Sequence, residues 1–338
     1  MRVKLFYLLF FALIFNSAQA QDHIYSQFYN APAYLNPALS GQFEGDFRLN
    51  MIYRSQWTGV PGPLNYYTLS LDLKVPRLNG GLGLIFTKTS EGSAYLNKMN
   101  FSGIYSYSVE FENSTLYFGL QAGLTNRKVD ADKLVFLDQL GSEGIIPGAG
   151  TNASIAQFNN KLFFDGGAGI NAVLGNLMLG VSGQHLNRPN ETLTGETAIL
   201  PIRYNFYGSY RYSLNSNFED SPIIIPSVVF YRQANLSSLS AGLQYKYKSV
   251  NAGLWFRRDG QQNDAIVLSF IFDLFNANRS DKTRFGISHD AGVSKLPYTN
   301  TAGTTEGAFS YETTFPGSGS YRGYPNGNSS GLKCYDFY

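Results

Sequence analysis

The chain has 338 residues, among them 35 Gly, 24 Tyr and 26 Phe, while Lys, Arg, Asp and Glu make up only 15% and leave a formal net charge of +2. Against the roughly 25% charged residues of ordinary soluble domains, this composition suits a barrel whose outer wall meets hydrocarbon and whose rims carry aromatic girdles. No basic cluster points to nucleic acid, no mature stretch reaches the ~18 apolar residues of a spanning helix, and the single cysteine, Cys334, excludes an internal disulfide.

The first twenty residues read as an export signal. Arg2 and Lys4 precede the apolar run Phe6 to Phe15, and Ala18, Gln19 and Ala20 supply a small-x-small cleavage pattern, so the mature chain begins at Gln21. Residues 21–45 are dense in Tyr, Asn and Pro and show no strand period. They are expected to form a periplasmic N-terminal segment or plug at the periplasmic mouth. Pro32 and Pro37 impose turns, and Tyr25, Phe28, Tyr34, Leu35, Asn36 and Pro37 are the candidate contacts to a barrel interior or a partner.

From residue 46 the pattern alternates with a period of two. Leu69, Leu71 and Leu73 alternate with Ser70, Asp72 and Lys74; Leu116, Phe118, Leu120 and Leu124 alternate with Tyr117, Gly119, Gln121 and Gly123. Leu239, Leu243, Tyr245 and Tyr247 alternate with Ser240, Gln244, Lys246 and Lys248, and Leu254 and Phe256 with Trp255 and Arg257. Strands are predicted at 46–57, 64–75, 80–89, 96–110, 114–125, 162–173, 176–185, 199–213, 222–233, 237–248, 250–258, 264–273, 282–290 and 303–315. The reading is all-β: a transmembrane antiparallel outer-membrane β-barrel of about 14 strands over 46–315, an even number as a single-chain barrel requires. Open strand edges would leave backbone groups unpaired in lipid, so the last strand must pair with the first. The odd-numbered connections, above all 126–161, are mostly longer than the even ones, which sets them outside the cell and the even turns in the periplasm. Residues 316–338, rich in Gly, Ser and Asn, follow as a periplasmic C-terminal tail whose aromatic end can dock.

The apolar rows face lipid and the rows of Gly, Ser, Asn and Gln face the lumen. Arg48, Arg54, Asp72, Arg203, Lys246 and Arg257, with Lys74 and Arg211, fall on the polar face or near its ends and are the candidate lumen residues. They suit either a solute pathway or ordinary lumen packing, and bulky Tyr207 and Trp255 on the same face favour packing. No catalytic, cofactor or metal site is read. His23, His185 and His289 are far apart in sequence and match no metal motif. Ser288, His289 and Asp290 are adjacent in a strand and so point to alternate faces, which makes a relay among them awkward.

Particular residues then carry a resemblance. Tyr25, Ser26, Gln27 and Phe28, the run Tyr34 to Ala38, Gly41, Arg48 and the run Tyr53 to Trp57 resemble the N-terminal signature of the PorP/SprF family of outer-membrane proteins of the Bacteroidota type IX secretion system. Pro226, Ser227 and Phe230, the runs Gly253 to Arg257 and Gly286 to Asp290, and Ser310, Tyr311 and Glu312 are similar to later family pieces. The chain departs from it where Ser288, His289 and Asp290 replace a common Ser-Tyr-Asp and where Tyr311 replaces a common His. The resemblance implies an accessory barrel in the outer membrane that helps a secreted surface protein with a C-terminal sorting domain reach or remain on the cell surface. It also implies contact with periplasmic ring, peptidoglycan-linked or gliding components. A passive porin or small-solute channel is the alternative.

Overall fold

The computed structural model describes residues 22–337 apart from 93–95, 131–133, 143, 151–159, 196, 216–220, 261, 277–279, 295–297 and 317–331. The expected export signal and most of the expected tail therefore lie outside the described residues. Fourteen long strands form the wall: β1 (Phe47–Gln56), β2 (Leu64–Val75), β3 (Gly80–Glu91), β4 (Leu96–Glu110), β5 (Ser114–Val129), β6 (Lys161–Leu174), β7 (Leu177–Gln184), β8 (Arg203–Tyr210), β9 (Ile223–Gln233), β10 (Leu236–Tyr247), β11 (Val250–Asp259), β12 (Gln262–Phe275), β13 (Asp281–Gly292) and β14 (Thr304–Thr313). Each pairs antiparallel with its sequence neighbours, and β14 returns to β1 with Phe47 opposite Thr313 and Gln56 opposite Thr304. The sheet is a closed barrel and leaves no open edge, as a wall in hydrocarbon requires.

Boundaries depart from the sequence expectation in several places. The strand expected over 199–213 starts only at Arg203, because Pro201 has no N–H to give a ladder; it resumes after Arg211 as Tyr212–Ser213, paired with Ile224 and Ile223. β5 and β12 run on to Val129 and Phe275. The longest connection holds a small hairpin, Leu140–Gly141 against Gly144–Ile145, that alternation did not signal.

The pleat sorts side chains as their alternation dictates. On β5, Phe118, Leu120 and Leu124 are exposed on the outside, while Tyr117 and Thr125 are buried inside. In water each such exposed Leu or Phe would forgo about 1.5–3 kcal/mol of burial; against lipid the same rows are the wall's solvent contact. Tyr53, Tyr67 and Tyr204 stand outward toward the long connections, and Tyr107, Tyr210, Tyr245 and Tyr247 toward the short turns, giving a girdle at each rim. Among the described residues no helix is long and apolar enough to cross a membrane. The hydrophobic core lies within the barrel, where Phe28, Tyr29, Leu35 and Leu39 pack with Tyr207, Trp255 and Phe337.

Candidate functional site: the filled lumen

Residues 22–46 form three short helical turns, Phe28–Asn30, Pro32–Leu35 and Pro37–Leu39. Two of them open on a proline, whose missing N–H suits the first position of a helix. Asn36 caps the last, accepting the Ala38 amide at 2.9 Å. Such a compact segment cannot join a ladder, and it fits inside the wall instead.

It runs the length of the lumen rather than stopping at one mouth. At the short-turn end the Asp46 amide donates to the Thr313 carbonyl just before β1 begins. At the other end the Asp22 amide donates to Gln233 Oε1 at the last residue of β9, and the Asp22 carboxylate meets Lys98 Nζ at 2.9 Å near the start of β4. The reason is satisfaction of polar groups. A lumen face rich in Ser, Asn and Gln needs hydrogen-bond partners, and this backbone supplies them: Ser182 Oγ and Asn205 Nδ2 both donate to the Leu35 carbonyl, and Ser106 Oγ donates to that of Ser40. The glycines of the same face make room. A Cβ at Gly119 would stand 2.1 Å from the Ala38 nitrogen, and one at Gly169 1.9 Å from Asn36 Oδ1.

Each of the six segment residues singled out in the sequence faces the barrel's own wall. Tyr25, Phe28, Leu35, Asn36 and Pro37 are buried and Tyr34 is half-buried. The Tyr25 hydroxyl pairs with Thr68, and Phe28 meets the Trp255 ring edge-on at 5.2 Å. Asn36 donates to the Ile170 carbonyl and to the Tyr207 hydroxyl. The Tyr34 hydroxyl accepts from Arg203 at 2.7 Å.

The lumen cations hold this segment in place. Arg48 grips Asp72 through Nε and Nη2 at 3.1 and 2.9 Å, and Asp72 accepts from Ser40 at 2.5 Å. Arg54 on β1 bridges Glu306 on β14 at 2.5 Å and Asp290 on β13 at 3.2 Å. Arg257 joins from β11, reaching Asp290 at 2.9 Å. Into this cluster the segment inserts its first turn: Glu306 accepts the amides of Ser26 and Gln27 at 2.7 and 2.9 Å, and Ser26 Oγ donates to Asp290. Arg203 also donates to the His23 carbonyl and stacks over Tyr34 and Tyr231. Lys246 and Lys74 are half-buried on the lumen face near the short turns, apart from these clusters, and the half-buried Arg211 donates its amide to the Asn176 carbonyl.

Several anchoring residues were not legible in the sequence. His185, which the sequence left without a partner, lies between two carboxylates, with Nε2 2.6 Å from Asp22 and Nδ1 2.8 Å from Asp165. Burial alone would depress its pKa, but the facing Asp22 and Asp165 prevail and hold it above its ordinary value. Burial alone would raise Asp22; Lys98 and His185 prevail and keep its carboxyl well below the usual range. An imidazole that uses both nitrogens on carboxylates has none left for a metal, and among the described residues no group of His, Cys, Asp and Glu could hold one. His23 is sandwiched between Tyr34 and Tyr66 at 4.9 and 4.3 Å, and burial with nearby Arg203 pushes it well down toward the neutral form. Strand phase places Asp165, Asp290 and Glu306 inward, but their partners depend on registers between distant segments.

The short-turn end closes differently. Cys334 and Phe337 are buried against Tyr117 and Asn171, whose Nδ2 lies 3.1 Å from the Cys334 sulfur, and Lys333 reaches Glu110 at the rim. Burial pushes the Cys334 thiol up to about 12. Ser288 and Asp290 point inward, while His289 pairs outside with Thr305 and Tyr298, so that run divides across the wall.

The family described as "Type IX secretion system membrane protein PorP/SprF" matches residues 17–311. No curated protein matches the chain. Among solved structures, the chain is similar to the Acinetobacter baumannii outer membrane protein Omp33 (7% identity, TM-score 0.42, covering 80% of this chain and 98% of that one). It is also similar to the monoaromatic hydrocarbon channel CymD (13%, 0.43, 88% and 95%) and to the P. putida toluene transporter TodX (11%, 0.45, 83% and 92%). With most of its length matched, this chain belongs to the PorP/SprF family of type IX secretion membrane proteins and is a multi-pass β-barrel of the outer membrane.

Proposed function

We propose that this chain is a plugged accessory barrel of type IX secretion, which supports delivery or surface attachment of a secreted protein carrying a C-terminal sorting domain and contacts periplasmic ring or peptidoglycan-linked components. In this reading the long connections face outward and the short turns face the periplasm. The observation that carries it is the filled lumen. Residues 22–46 are tied to β1, β9, β13 and β14 by buried and half-buried hydrogen bonds, and the tail closes the short-turn end. A barrel so occupied is suited to serve through its surfaces and connections, because its interior is committed to its own chain.

Two measurements test this. Purified full-length barrel in a planar bilayer is expected to give little conductance, whereas large stable steps would favour the passive channel. Affinity capture from membranes, with mass spectrometry of what is retained, is expected to return a type IX cargo or a periplasmic secretion component. Capture of neither, together with normal cargo display in a deletion strain, would overturn the accessory role.

A further inference from the structure

The outer wall carries an asymmetry that the lumen does not explain. Strand by strand, every lysine and arginine on the outward phase lies toward the long connections: Lys88, Lys128, Arg232 and Arg258. The outward strand positions near the short turns hold aromatic and aliphatic side chains instead, and the exposed Arg77 and Lys248 at that end lie in the turns, off the wall.

At one point this cationic rim becomes a site. Arg232 sits directly opposite Tyr204 across the β8–β9 ladder, and one row deeper Phe206 sits opposite Phe230, with ring centroids 6.2 Å apart. Arg188, in the connection after β7, lines the same groove of about 580 Å³. Both guanidinium groups are exposed, and among the described residues neither pairs with a carboxylate. Below Phe206 and Phe230 a second depression of about 510 Å³ continues down the wall, where Gly208 leaves space beside Val228 and Leu179. The two depressions share the phenylalanines. Together they present two cations at the rim, an aromatic step, and then an apolar furrow running toward the middle of the membrane.

We infer that this furrow binds a phosphate-bearing glycolipid of the outer leaflet, with the phosphate between Arg188 and Arg232 and an acyl chain along Phe206, Phe230 and Val228. Arginine suits a phosphate through its planar fork of donors. Two exposed cations at one groove, neither paired with a carboxylate among the described residues, are complementary to an anion, and basic residues at a membrane rim attract anionic headgroups. The apolar part is continuous with the lipid-facing wall, so the occupant is an amphiphile and not a free anion. The leaflet rests on the orientation proposed above, in which the long connections face outward.

Native mass spectrometry of the barrel in detergent tests this with three probes: monophosphorylated lipid A, its dephosphorylated form, and phosphatidylglycerol. Wild type is expected to retain the phosphorylated lipid A in preference to the other two. The double variant Arg188→Gln with Arg232→Gln is expected to weaken that retention about thirtyfold, from about one rim charge's effect at each position. Lys88→Gln, on the same rim but outside the groove, is expected to leave it unchanged. Both arginines are exposed, and heat-modifiable gel mobility checks that the variants still fold. Equal retention by the double variant, or of the dephosphorylated lipid, would overturn the site. Preference for phosphatidylglycerol would overturn its assignment to the outer-leaflet glycolipid.

Discussion

The N-terminal segment and the C-terminal tail are held in the lumen by different physics. Toward the long connections the N-terminal segment is held by charge: Asp22 with Lys98 and His185, and Ser26 with Arg54, Asp290 and Glu306. Toward the short turns the tail is held by apolar burial, with Phe337 and the Cys334 side chain packed under Tyr117 and one ion pair at the rim. Charge pairs specify position, because each carboxylate has few geometries that satisfy it, and losing one partner leaves the other stranded. Apolar burial is tolerant of geometry and lets go gradually. The first closure is therefore expected to fail as a unit and the second to come loose alone.

The largest effect should come from the charged closure. Glu306→Ala removes the acceptor of two segment amides and leaves Asp290 as the remaining carboxylate on Arg54, and breaking such a buried cluster costs about 3–5 kcal/mol. The denaturant midpoint of the barrel should fall and conductance should rise. An unchanged midpoint would mean that the cluster is solvated and the contrast between the two ends is overstated.

Gly119→Val tests the same segment through space instead of charge. Its side chain would enter the Ala38 backbone, at an overpacking cost of about 1–3 kcal/mol. Protease cleavage within residues 22–46 should become faster while the wall stays closed. Resistance equal to wild type would show that the segment shifts to accommodate the larger residue.

Phe337→Ala probes the apolar closure. The sole cysteine of the chain reports it: buried, with its thiol pushed up to about 12, Cys334 should resist maleimide at pH 8. In the variant the thiol should label readily, with the barrel's own midpoint moving by less than about 1 kcal/mol, because the tail is no part of the ladder. A large fall in the midpoint would make the two ends alike.

The smallest effect should be that of pH on His185. Its pKa is raised in the folded protein, so the stability it lends is fully present below the unfolded value near 6.5 and is lost as pH rises through the higher folded value. Only the doubly protonated imidazole can donate to Asp22 and Asp165 at once. The protection of the Asp22 amide against hydrogen exchange, taken relative to its intrinsic base-catalysed rate, should fall over that interval in wild type but not in His185→Gln. Identical profiles would remove the histidine from the anchor.

Much of this was legible in the sequence and some was not, for reasons that particular residues make clear. Alternation alone placed Leu116 to Leu124 and Val250 to Arg257 with the correct faces, because pleating is local: a strand's neighbours along the chain fix which side each residue takes. Closure of the last strand on the first followed from the impossibility of an unpaired edge in lipid. Arg48, Arg54, Asp72, Arg203 and Arg257 could be set inward by phase. Their partners could not, since Arg54 meets Glu306 across 252 residues and Asp22 meets His185 across 163. Those pairings, the passage of residues 22–46 through the lumen and the burial of Cys334 depend on which registers fourteen strands adopt together. The sequence by itself determined a closed wall with one greasy and one polar face; only the tertiary structure decided what fills it, because filling is a matter of contacts between segments that the chain brings together solely by closing.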